Sequence, residues 1–581
     1  MDTLPNAERH STNADGPSQK PSPLEEVYAR AVNSHASRSK ETSIYPGENY
    51  RRLASFLSRP YDWGRASFQG GRDKIGTAFP FAIVYQKLGE GSILSPRKDS
   101  LRPAEFQRSC FGSDDQGLRD FRPTTSSPAD ILFLQGAASP EWLNVIGARY
   151  GIDPEFFRRH IDMQFAPLYF DLPALQSSSL DMVAVPLISI GKWGVTMPSH
   201  MDINTERRES RTSNRPMVRL VNTQPVCAST VRQYLVLSQN YFAVEQIASV
   251  YMHTKKNGNW VAVVWSDCGR DLAHDMTTSK QWRDPCSSFH QSNSSILPVF
   301  QYQRKAFVKQ MQNDESIPAT DSSFLHLPQH HSQPHASSET HSGHSKMAQS
   351  ARFIPWSFGQ DLDTKTLQQD GIYAISDLLS FAACSESQFL NLIEHLIDED
   401  GNVEGAPYSE AATDTHTTSN LEYNKRILEA RLKMLQTTHT CIAAGGGPSW
   451  PRAKEEQQRE IADAMRSKLE RDYQELIERA QGLIKRCMED SLLLMNKTMI
   501  RDTQRGVVQA EAMARLTLLA YFFIPLSFTA TFLGMNVKEL DAQSLGIWVW
   551  FAITAPVMGL SLCLYFEEHL RRGIALMKGK Q

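Results

Sequence analysis

Gly534-Met535-Asn536 lies between two long apolar runs, where an asparagine amide offers an uncharged oxygen to a cation that still carries water. Mg²⁺ gives up its hydration shell reluctantly, so a neutral group touching that shell suits it at an entrance. Upstream, Met513, Leu516, Ala520, Ile524, Ser527 and Thr531 fall three or four residues apart and share one helix face, apolar first and hydroxyl-bearing later. Repeated around a symmetry axis, such a face lines a narrow pore with an apolar constriction. Hydroxyls on an apolar helix also bond back to its backbone or to a neighbouring helix, so the face alone leaves both readings open.

The elements that must position these residues are two spans. Residues 516–533 and 545–566 contain no Asp, Glu, Lys, Arg or His, and about 20 apolar residues in a helix cross a bilayer's hydrocarbon core. Residues 534–544 form the loop between them, holding Lys538 against Glu539 and Asp541, whereas Lys497, Arg501, Arg505 and Arg515 precede the first span. Arg571, Arg572, Lys578 and Lys580 follow the second, in a basic tail over 567–581. Basic flanks stay in the cytoplasm, which puts both termini inside and the loop outside. A buried helical hairpin in a soluble core is the alternative, disfavoured by the lengths of two adjacent spans.

A long helix leads into the first span. From 452 to 515 there is no Pro, and Ile461, Met465, Leu469, Tyr473, Leu476, Ala480, Leu483, Cys487, Leu492 and Met495 keep a near-helical stripe. Such a stalk is roughly 95 Å long and continuous with the first span. Its stripe serves either as a coiled-coil-like face or as packing against a domain.

The rest of the chain is aqueous in character. Its 581 residues carry a net charge of -3, which argues against a nucleic-acid binder. The eight cysteines form no CxxC pair, as expected of reduced thiols. No apolar targeting segment opens the chain, and residues 1–44, rich in Ser, Asn and Pro, read as a disordered tail. Over 45–300 the runs DILFLQG, MVAVPLISIG, VRQYLVLS and NWVAVVWSD read as strands, and SPEWLNVIGARYGIDPEFF as two helices capped by Ser139 and Asp153. Strands interspersed with helices predict an α/β cytoplasmic domain. Residues 301–350 hold His326, His330, His331, His335, His341 and His344 in a Ser-rich stretch, read as a disordered linker. Residues 351–451 add helices over 375–397 and 421–443 to the cytoplasmic domain.

Two motifs fail on inspection. DEDGNVE at 398–404 resembles a calcium loop, but with Gly401 at the sixth position Leu396 falls at the first, where it cannot ligate. GGGPSWP at 445–451 lacks the Lys and Ser/Thr of a phosphate loop. No spacing of Ser, His and Asp singles out a nucleophile, so an enzyme is not expected.

Pro525 followed nine residues later by Gly534-Met535-Asn536, between a long charged helix and one further span, resembles the CorA family of divalent-metal channels. The similarity is close over about 490–581, and SPEWLNVIGARYGIDPEFF, YFAVEQIASVYM and NWVAVVWSD are similar, more loosely, to the family's fungal branch. The resemblance implies a homopentamer with a cytoplasmic α/β/α domain, a stalk helix and two transmembrane helices, conducting Mg²⁺ and sometimes Co²⁺, Ni²⁺, Zn²⁺ or Mn²⁺. It implies that Asn536, shaped by Gly534 and Met535, meets the hydrated ion, and that Met513, Leu516, Ile524 and Ser527 line the pore. It further implies an outer acidic ring near Glu539, with Asp541 beside it, no resident cofactor, and Mg²⁺ as cargo and possible regulator. The plasma membrane is the expected membrane.

The chain departs from the family's pattern at two positions. Ala510 stands where bacterial members place a polar Asn, and Met499 where a regulatory acidic residue is expected, with Glu489, Asp490 and Asp502 nearby. A membrane-anchored scaffold or sensor without conduction, and Zn²⁺ transport by the same fold, are the two rival expectations.

Overall fold

A computed structural model describes residues 23–61, 80–86, 95–100, 103, 106, 129–162, 181–194, 203–208, 226–255, 258–270, 272, 294–301, 347–401, 410–534 and 547–578. The chain divides into two units: Met1–Glu404 with Asn420–Cys487, and Gly405–Ser419 with Met488–Gln581.

The first unit is built on an eight-stranded sheet. Two nearly unbroken apolar runs, β3 (Ala129–Gln135) and β7 (Trp260–Ser266), lie side by side in parallel and are buried throughout. Such runs are what strands covered on both faces require. Around them the order is β2 (Ser95–Ser100), β1 (Ala82–Gln86), β3, β7, β6 (Tyr241–Thr254), β4 (Met182–Lys192) and β8 (Ser295–Ile296). The 14-residue β6 pairs with β4 along one edge. Its other edge is shared by β5 (Gln233–Val236), opposite Phe242–Glu245, and β7, opposite Ala248–Thr254.

Helices cover both faces. On one lie α1 (Leu24–Ala36), α2 (Arg51–Leu57), α3 (Pro140–Tyr150) and α4 (Pro154–Asp162). Ser139 caps α3 by accepting from the Trp142 N–H, Pro140 opens it, and Gly151 closes it at φ 66°. Trp142, Phe156 and Phe157 then meet Leu132, Leu134 and Trp265 of the sheet. On the opposite face Phe358 lies 4.9 Å from Phe133 and 5.0 Å from Tyr85, and the Tyr85 hydroxyl donates to the Pro355 carbonyl. Helix α5 (Ser376–Gly401) packs against β4 there. The α/β/α layering expected for this region is the arrangement observed.

Two buried polar clusters hold the layers in register. Asp267 accepts from Arg232 Nε and Nη2, both at 2.7 Å, and from the Ile247 N–H at 2.8 Å. Arg431 of α6 (Glu410–Ala443) is 1 % exposed, bonds to Glu386 of α5 and lies 3.4 Å from Glu245 of β6. Burial opposes its charge, yet the two carboxylates keep Arg431 firmly protonated.

The structure corrects several boundaries. Residues 24–36 are not a disordered tail: they form α1, whose Ala29, Val32 and Ala36 join the core. Two of these three buried apolar side chains are alanines, so the helical period is faint in the sequence. Residues 398–401 end α5 rather than starting a loop, and α6 begins earlier than expected, at Glu410. The tail from 567 is helical as far as Lys578, because Glu567 to Met577 offers good helix formers with one Gly. Residues 1–22 and the histidine-rich stretch 302–346 lie outside the described residues.

Candidate functional site

In the second unit the site residues sit on the last part of one helix. Helix α7 (Glu456–Leu533) runs without a break through Pro525, and α8 (Trp548–Lys578) follows. By length and composition α7 is the one helix among the described residues able to cross a membrane, and its apolar window is almost wholly exposed. The apolar part of α8 spans Trp548–Leu564.

Pro525 explains how the hairpin closes. A proline has no N–H, so the carbonyl four residues earlier, that of Tyr521, loses its helical partner. Ser561 of α8 donates its hydroxyl to that carbonyl at 3.2 Å. Two turns on, Thr554 Oγ1 donates to Thr529 Oγ1 at 3.0 Å, and Thr529 donates to the Leu526 carbonyl at 3.1 Å. Thr529 and Thr554 are 2 % and 5 % exposed, so the hydroxyl pair is sealed between the helices. Satisfying polar groups internally is what apolar surroundings demand.

The face read from the sequence is a different one. Met513, Leu516 and Ile524 are 67 %, 65 % and 65 % exposed, and Ser527 and Thr531 are exposed beside them. Ala520 is half-buried. The Ser527 hydroxyl donates to the Ile524 carbonyl at 3.0 Å, and that of Thr531 to the Ser527 carbonyl at 2.7 Å. Both therefore bond back to the backbone, and their oxygens keep lone pairs that accept from water. The two readings of these hydroxyls are compatible: each hydrogen is tied inward, each oxygen stays available.

Gly534 finishes the helix, its N–H lying 3.1 Å from the carbonyls of both Ala530 and Thr531. Met535, Asn536, Glu539 and Asp541 lie outside the described residues. The stripe along the long helix divides in two. Leu469, Tyr473, Ala480 and Cys487 are buried in the first unit, while Leu492, Met495 and Met499 are exposed in the second. Asp502 lies 3.7 Å from Arg505, so a neighbouring cation already faces it.

The sequence reading missed Tyr521, Thr529, Thr554 and Ser561. The signal was present, since a proline inside an apolar helix predicts an orphaned carbonyl and a hydroxyl to serve it.

Ser249, His160 and Asp267 also gather in the first unit, at 2.8 Å between Ser249 Oγ and His160 Nδ1 and 3.4 Å between His160 Nε2 and Asp267. The resemblance to a hydrolase triad is superficial: all three are buried, and Asp267 is held by Arg232. Burial holds His160 neutral by lowering its pKa to about 4. A carboxylate only accepts, so Nε2 carries the proton and Nδ1 accepts from Ser249.

A search of curated proteins finds no match to the chain. Residues 380–569, from within α5 to within α8, match the family model described as CorA-like Mg²⁺ transporter protein.

Proposed function

We propose that the chain is one subunit of a homo-oligomeric channel, a homopentamer by family analogy, that lets divalent cations and above all Mg²⁺ flow down their electrochemical gradient. The observation that carries this reading is the exposed face of α7 from Met513 to Thr531, inside the family-matched segment and turned away from the Thr529–Thr554 contact. A face whose outer end bears hydroxyl oxygens and whose inner end bears Met513, Leu516 and Ile524 has the chemistry of a pore wall with a dewettable constriction.

In this reading α7 and α8 both cross the membrane, with the termini in the cytoplasm and the plasma membrane as host. Asn536, set by Gly534 and Met535, offers its amide oxygen to the water of an arriving ion. Glu539 and Asp541 concentrate cations at that mouth. Ser527 and Thr531 accept from the ion's hydration shell next, and the apolar ring then sets the barrier. Asp502, Glu489 and Asp490 are candidates for a regulatory ion.

Reconstituted vesicles loaded with a Mg²⁺ indicator test the proposal. The native chain should admit Mg²⁺, and Asn536→Ala should reduce entry at least about tenfold, the loss of roughly one ion-to-amide contact. Equal background entry from both would sink the channel and leave a membrane-anchored scaffold. Competition by Zn²⁺ in the same vesicles decides which ion is preferred.

A further inference from the structure

The two hydroxyl contacts between α7 and α8 bracket the level at which both helices lose a backbone hydrogen bond. Pro525 withholds an N–H from the Tyr521 carbonyl, and Pro556, inside α8, withholds one from the Ala552 carbonyl. Kinks concentrate where a helical ladder lacks such a bond. Ser561 holds α7 before its gap, through the Tyr521 carbonyl at 3.2 Å, and Thr554 holds it after the gap, through Thr529 Oγ1 at 3.0 Å. Ser561 and Thr554 are two turns apart on α8 and lie on one face of it.

Three further bonds soften the same stretch of α7. The hydroxyls of Ser527, Thr529 and Thr531 donate to the carbonyls of Ile524, Leu526 and Ser527, and bonds of this kind compete with helical N–H groups and bend helices. The stretch from Pro525 to Thr531 is therefore easily re-aimed. Its direction is set at Thr529. With about 100° of turn per residue, Ser527 and Thr531 each lie roughly 200° around the helix from Thr529, so both face away from the side that Thr529 presses against α8. Thr529 is 2 % exposed, whereas Ser527 and Thr531 are exposed.

The geometry points to Thr554 and Ser561 as positioning residues: together they fix the angle of α7 across Pro525, and with it the aim of Ser527 and Thr531. This role rests on the channel reading, in which those two hydroxyls meet the hydration shell of the ion. Neither Thr554 nor Ser561 touches the ion. Loss of their bonds changes how well each pore meets its cargo, not how many pores form.

The test uses the full chain carrying Thr531→Cys in vesicles, treated with a charged, water-soluble thiol reagent, with the labelling of the chain lacking that substitution subtracted. Thr554→Val should change the labelling rate at position 531 about threefold, the equivalent of one interhelical hydrogen bond. Thr554→Ser keeps the hydroxyl and should leave the rate native. In chains with Thr531 intact, Thr554→Val should shift the Mg²⁺ concentration for half-maximal entry by about the same factor, and Thr554→Ser should not. A purely structural role would lower maximal entry alone. Ser561→Ala should act as Thr554→Val does, and it decides if Thr554→Val does not fold. Three outcomes overturn the proposal: an unchanged labelling rate in the folded variants, a half-saturation that stays constant while maximal entry falls, or a Thr554→Ser chain as altered as Thr554→Val. If the native chain admits no Mg²⁺, the channel reading fails, and the labelling rates alone decide whether α8 aims this face.

Discussion

Arg232 and Asp267 form a buried, bidentate charge pair in the sheet, and each compensates the other's charge. Removing one partner leaves a buried charge uncompensated, which costs roughly 3–5 kcal/mol. Arg232→Met should therefore lower the denaturation midpoint of the chain far more than Arg30→Met, because Arg30 is itself exposed on α1. His160 adds a dependence on acidity. Its folded pKa is about 4 against an unfolded value near 6.5, so the unfolded chain binds more protons between these values. Stability is complete above about pH 6.5 and falls as the pH drops toward 4, by on the order of 3 kcal/mol. The charged groups around this imidazole are Asp267, which favours protonation, and Arg232, which opposes it. His160→Gln should flatten that slope in urea titrations at pH 7 and pH 5; an unchanged slope would refute the assignment. None of this was legible in the sequence, because the partners are 89 and 107 positions from His160 and no local pattern links them.

At the scale of elements, the α7–α8 hairpin is held by hydroxyls in a surface otherwise made of hydrocarbon. Thr529→Val and Thr554→Val should each weaken it, and the double variant should cost less than the sum. A coupling of about 0.6 kcal/mol is typical of such contacts, measured by unfolding in mixed micelles. Ser561→Ala should destabilise Pro525-bearing α7, and Pro525→Ala should remove that effect by restoring the helical bond to Tyr521. Additive losses in the Ser561–Pro525 pair would show that the carbonyl finds another donor. The strands β3, β4, β5 and β7 were legible because each is apolar and bounded by turn residues. The central β6 was seen only as a likeness, since Glu245 and Gln246 interrupt its apolar run. Those two polar residues are buried because Arg431 and Gln349 reach them from other elements, which no window of neighbouring residues reveals.

For the whole molecule, a pore wall contributed one helix at a time demands several copies. Light scattering of the detergent complex should give a multiple of the 65.5 kDa chain mass, and a strictly monomeric protein would exclude the proposed channel. Within such an assembly Leu516→Ser should raise background ion leak, because a hydroxyl at an apolar constriction favours wetting. The long helix and the exposed face were readable from composition and spacing. Where the long stripe passes from buried to exposed, after Cys487, was not, since packing against another helix of the domain, as Tyr473 does on α5, and readiness for another copy ask for the same residues.

Arg431 ties together positions 245, 386 and 431, which are far apart along the polypeptide. A fragment that stops near residue 300 would leave Glu245 without Arg431, with Arg232 as the nearby positive charge. The charge cluster at this face of the sheet is therefore complete only once both later helices, α5 and α6, have been synthesised.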